Sequence, residues 1–141
     1  MAIKNYTTTI NVNKTIGEIQ GILSKHGATA IMTEYDNENV TGLSFKIMTP
    51  RGELGIRLPS NTDRVLQVLK NQRKNNNQVK DTFEQANKVA WRIIKDWVAA
   101  QMAILETEMV EMEQIFLPDV LNNKGKTLYQ EFKENQLLLG E

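Results

Sequence analysis

The amino-acid sequence predicts an α+β fold: a small, antiparallel-rich β-sheet with one α-helix inserted after strand one, then a long C-terminal helix and short helices that mediate oligomerisation. Two patterns and the composition carry this. Residues 6–58 contain runs of alternating apolar and polar residues separated by turn residues, while residues 81–105 hold no Gly or Pro and repeat their apolar positions in steps of three and four. With 141 residues, 40% hydrophobic and 24% charged, the chain suits one soluble domain with a real core.

Taken in order, residues 6–12 put Tyr6, Thr8, Ile10 and Val12 on one face and are rich in β-branched side chains, which predicts strand one. Asn13 is a helix cap for residues 15–26, where Ile16, Ile19, Ile22 and Leu23 form one apolar stripe and Gly27 marks the end. Residues 28–35 read as strand two, 36–39 as a turn, and 40–49 as strand three with Leu43, Phe45 and Ile47 inward. After the turn Pro50-Arg51-Gly52, residues 53–58 form strand four, with Leu54, Ile56 and Leu58 inward and Arg57 on the opposite face beside Gly55. Caps at residues 60–63 introduce a short helix through Val65, Leu66, Val68 and Leu69, and the apolar-free residues 70–78 read as a solvated loop. The organisation predicted is a sheet region over 1–70, a polar linker over 71–80 and a helical segment over 81–141, within one domain.

The long helix carries two stripes, Phe83-Ala86-Ala90-Ile93-Trp97-Ala100-Ile104 and Trp91-Ile94-Val98-Met102-Leu105. That arc is wider than one packed surface requires, and at ~1.5 Å per residue the rod of roughly 37 Å outruns a small sheet. A second copy of the chain is the simplest cover, so a homodimer or higher homo-oligomer through this helix is expected. Beyond it, Met109, Val110 and Met112 suggest a bend or further helix ending near Pro118; residues 122–125 are a turn, Thr127 caps a last helix to about Asn135, and 137–139 form an apolar tail predicted to dock on a neighbour.

Composition excludes several chemistries. There is no cysteine, hence no disulfide, thiolate nucleophile or thiolate metal site, which suits a cytoplasmic location. No leader-like start and no apolar run of membrane length occurs, so no membrane partner is expected. The net charge of zero divides into 11 Lys and Arg against 6 Asp and Glu over residues 1–80, and the reverse excess over 81–141. That is too little positive charge for a duplex nucleic-acid binder; attraction between the halves, or simple solvation, accounts for it.

Gly125-Lys126-Thr127 looks like the end of a phosphate-binding loop, but Val120 stands where that motif needs its first glycine. A turn followed by a helix cap explains it. The carboxylates of Glu106, Glu108, Glu111 and Glu113 lack the glycine-bearing loop of a calcium site and read as a solvated face. His26, the single histidine, sits at a helix end where the dipole favours a cation, which suits capping better than catalysis. No enzyme, cofactor or metal is expected.

Binding remains. Arg57, Phe83, Asn87, Trp91 and Arg92 are the candidate ligand-binding residues: an aromatic for a base, an amide for its edge and two guanidiniums for a diphosphate, meeting at a sheet-helix or dimer junction. The competing arrangement makes Phe83 and Trp91 core residues and leaves the arginines solvated or paired with Glu84 or Asp96.

Residues 90–102, Ile115-Phe116-Leu117-Pro118 and Gly125-Lys126-Thr127-Leu128-Tyr129, with Gly27-Ala28-Thr29-Ala30 and Arg57-Leu58-Pro59, resemble a recurrent family of small phage and prophage proteins. The size, the order of sheet then long helix, and Arg57 in the fourth strand are also similar to the phage anti-defence proteins that sequester the cyclic ADP-ribose signal of Thoeris immunity. That resemblance implies a non-enzymatic oligomer holding a cyclic nucleotide between subunits, with Arg57 the residue carried over. The alternative is a protein-binding inhibitor or recombination accessory protein, acting through its helical surface or on single-stranded nucleic acid.

Overall fold

Alternation over residues 28–58 produces a three-stranded antiparallel sheet in the computed structural model, which describes residues 2–135: β1 Ala28–Asp36, β2 Asn39–Thr49 and β3 Gly52–Arg57, in the order β1-β2-β3. Asn37 and Glu38 both take positive φ, the conformation a two-residue hairpin turn needs to match strand twist. Gly52 supplies a φ of 120° at the second turn, where the Thr49 hydroxyl donates to the Gly52 carbonyl at 2.8 Å. Register shifts interrupt the β1–β2 pairing twice, between Ala28 and Ala30, where Thr29 of β1 is passed over, and between Glu34 and Tyr35, where Thr41 of β2 is passed over. On the far side, Val120 bridges Ile56 and the Leu121 amide donates to the Gly55 carbonyl at 2.8 Å. Among the described residues no strand pairs with the outer edge of β1.

The helices are α1 Val12–Lys25, α2 Thr62–Arg73, α3 Phe83–Glu106, α4 Met112–Ile115 and α5 Leu128–Asn135, with a 3-10 turn over Leu117–Asp119. Short polar side chains set their starts. Asn61 Oδ1 accepts from the Arg64 amide, and Thr127 exchanges hydrogen bonds with Gln130 in a capping box. Among the described residues no helix is long and apolar enough to cross a membrane.

The α+β class stands, but the strand expected over residues 6–12 does not form, so no helix is inserted after a first strand and α1 is the first regular element. Asn5 takes a φ of 66°, turns close at the Ile3 and Asn5 carbonyls, and Gln85 Nε2 donates to the carbonyls of Tyr6 and Thr8 at 3.0 and 2.9 Å. A side chain of α3 therefore satisfies the backbone that a neighbouring strand was expected to pair. The cap of α1 is Asn11 rather than Asn13: Asn11 Oδ1 accepts from the Asn13 amide at 2.8 Å. Part of the polar stretch is also ordered, since α2 runs to Arg73, whose guanidinium donates to the Val79 carbonyl at 2.6 Å. The apolar tail at 137–139 lies outside the described residues.

The chain divides into two compact units, with boundaries inside α1 and α3. The first, up to Ile22 and Pro59–Ala100, buries Ile16, Ile19, Val89, Trp91 and Val98, and gathers Leu69, Val79 and Ala86 with Ile3, Tyr6, Val65 and Leu66. The second, Leu23–Leu58 and Gln101 onward, buries Leu23, Leu43, Phe45, Ile47, Ile56 and Met102, and sets Phe45 edge-on to Phe116 at 5.5 Å. Dispersion and removal of apolar area from water hold each core.

Candidate functional site: the outer face of the sheet

Period-two alternation sends Leu43, Phe45 and Ile47 into the core of the second unit and leaves Gly42, Ser44, Lys46 and Met48 on the other face of β2. Register then fixes the neighbours. Gly42 pairs with Glu34, Ser44 lies between Met32 and Arg57, and Lys46 between Ala30 and Gly55.

Arg57 reaches along this face to form an ion pair with Glu34, and its side chain is 37% exposed. A Cβ at Gly42 would lie 2.6 Å from Arg57 Nη2, so the missing side chain is what gives the guanidinium its seat. Lys46 pairs with Glu53 at 3.7 Å. Ser44 is 7% exposed, and its hydroxyl meets no hydrogen-bond partner among the described residues. Beside it a hollow of about 330 Å³, at the lower end of small-ligand pockets, is lined by Ala30, Met32, Ser44, Lys46, Gly55 and Leu121. The face thus joins an apolar depression to two cations, each already balanced by a carboxylate.

Protein-family models, curated proteins and solved structures yield no match to this chain.

Of the residues expected to bind ligand, Arg57 lies in the second unit, while Phe83, Asn87, Trp91 and Arg92 lie in the first. Phe83, at the start of α3, is 41% exposed. Asn87 is buried and its side-chain carbonyl accepts from the Thr62 hydroxyl at 2.8 Å. Trp91 is 0% exposed, with Nε1 meeting no partner among the described residues. Arg92 pairs with Glu18 and donates to Thr15 Oγ1 at 3.3 Å. The arginines are paired, then, but with Glu34 and Glu18 instead of Glu84 and Asp96. Asp96 serves the amino-terminal segment: burial opposes its ionisation, but hydrogen bonds from Asn5 and Lys4, with Lys95 nearby, outweigh that and hold its carboxyl below the usual range.

Ser44, Gly42 and Glu34 were not singled out by sequence reasoning, although counting outward from the two turns points near them. An uninterrupted count from the turn places Glu34 opposite Thr41, and the shift between Glu34 and Tyr35 moves it by one residue to Gly42. Among the described residues no three His, Asp or Glu side chains gather as a metal site.

Proposed function

We propose that this protein works by binding and holds a nucleotide-type ligand, intact, on the outer face of its sheet. In the form its sequence resemblance implies, it is a phage or prophage accessory protein that sequesters a cyclic ADP-ribose-type immune signal in the host cytoplasm. One observation supports this above the others: Arg57, a planar donor suited to bidentate phosphate capture, is 37% exposed and is the register partner of Ser44, which lines a ligand-sized hollow on the same face. A diphosphate offers two negative charges where Glu34 offers one, so ligand binding exchanges one carboxylate partner for a stronger anion. Within the first unit Phe83 and Ala100 of α3 remain exposed on one of its apolar stripes, which supports homo-oligomerisation through that helix.

Thermal-shift titration tests the reading. Cyclic ADP-ribose at a hundredfold excess over its Kd should stabilise the protein by about 2.7 kcal/mol, Arg57→Ala should abolish the shift, and heating the complex should return unaltered ligand. No shift at millimolar ligand, or multiple-turnover breakdown, removes it.

A second reading rests on a separate patch. In the second unit Leu128, Tyr129 and Phe132 of α5 are exposed, and the Tyr129 and Phe132 rings stack at 6.4 Å. Such a patch suits a protein-binding inhibitor. In that case paired Tyr129→Ser and Phe132→Ser changes abolish activity and Arg57→Ala leaves it intact.

A further inference from the structure

We infer that the hollow beside Ser44 is a binding site for a neutral aromatic group carrying one hydrogen-bonding function. This goes beyond the nucleotide reading, because it requires neither a phosphate nor Arg57.

The floor is built from small residues, Ala30, Ser44 and Gly55, so a flat group can approach the strands. A Cβ at Gly55 would meet only Leu121, at 3.6 Å, and the space above that glycine is otherwise open. Two of the flanking side chains favour an aromatic ring. The Met32 thioether contacts ring edges and faces well, and the Lys46 ammonium is attracted to a ring face. Charge argues for a neutral occupant, since Lys46 is balanced by Glu53 and Arg57 by Glu34. The hydroxyl of Ser44 supplies polar selectivity. It is buried and meets no hydrogen-bond partner among the described residues, a condition native structures rarely leave uncompensated. Met32, 57% exposed and unbranched, is its row neighbour, so binding requires that adaptable side chain to turn aside and let a ligand donor or acceptor reach the hydroxyl.

Two sources offer this chemistry: the base of a nucleotide, or a free phenol or indole. Amide and methionine-methyl NMR titration of the full chain with phenol, indole, adenosine and benzene separates them. Phenol or indole shifting Ala30, Gly55 and the Met32 methyl assigns a free aromatic; adenosine alone shifting them assigns a base, and both results support the site. Benzene, lacking the polar function, should bind at least tenfold more weakly than the best of these. Ser44→Ala should weaken binding about tenfold, and Gly55→Val should abolish it with the remaining spectrum unchanged. Absence of shifts at these residues with all four probes at millimolar concentration, or equal binding of benzene and the best polar probe, overturns the inference. A chain that binds indole but shows no stabilisation by cyclic ADP-ribose loses the nucleotide reading and keeps this one.

Discussion

Arg57 lies over the backbone of Gly42, where even a methyl group would come within 2.6 Å of its Nη2 and 3.1 Å of Glu34 Oε1. Both clashing atoms end flexible, partly exposed side chains, so the smallest substitution at Gly42 moves the ion pair instead of the strand. Gly42→Ala should therefore cost at most about 1 kcal/mol by chemical denaturation, an exposed pair being worth little, yet reproduce the ligand-binding defect of Arg57→Ala. A fully active Gly42→Ala protein would show that the seat of the guanidinium is irrelevant.

The amino-terminal segment depends on one amide. Gln85 Nε2 supplies both hydrogen bonds to the carbonyls of Tyr6 and Thr8 from a side chain that is almost wholly buried. Gln85→Leu leaves those carbonyls without that donor and should lower stability by about 2 kcal/mol. Limited proteolysis should then cut within residues 5–11 well before the rest of the chain, whereas a cleavage pattern matching the parent would contradict the clasp.

Trp91 contributes bulk, and its indole N–H meets no hydrogen-bond partner among the described residues. Trp91→Phe removes the unanswered N–H along with some packed area, two opposing effects of similar size, and should stay within about 1 kcal/mol of the parent in urea denaturation. Trp91→Ala, which only removes packing, should cost about 3–5 kcal/mol. A large loss in the Phe variant would reveal a partner for the indole.

Stability should fall as pH rises toward neutrality through one carboxyl. Burial pushes Asp119 up to about 6, well above the value near 3.8 it has when unfolded. Between those values the folded chain binds the extra proton, so this group's penalty is absent at low pH, grows from about pH 4 and is complete above about pH 6. Asp119 is half-exposed and screened by water, so Asp119→Asn should gain on the order of 1 kcal/mol at pH 7.5 and nothing at pH 4. Equal gains at both pH values would mean that charge is not the cause.

Periodicity made α3 and the hairpins legible, because their burial follows local repeats: Leu43, Phe45 and Ile47 face the core as alternation requires, and Trp91, Val98 and Met102 bury the second stripe of the helix. Residues 6–12 have an equally convincing local pattern but a non-local partner, since Gln85 stands 79 positions beyond Tyr6 and no window of sequence contains both. The same limit governs the candidate site. Arg57 was identifiable from its place in an alternating strand, whereas its carboxylate, the vacant side chain beneath it and the isolated Ser44 hydroxyl became visible only with the pairing of three strands.

The two irregularities, at the unpaired residues Thr29 of β1 and Thr41 of β2, leave only Ala30 to Glu34 in uninterrupted register with β2. An incoming chain seeking to extend the sheet from that side would find five orderly positions before the template bends away. Such a margin discourages runaway fibril growth, and shortening either irregularity by one residue should convert a well-behaved preparation into one that seeds β-rich aggregates.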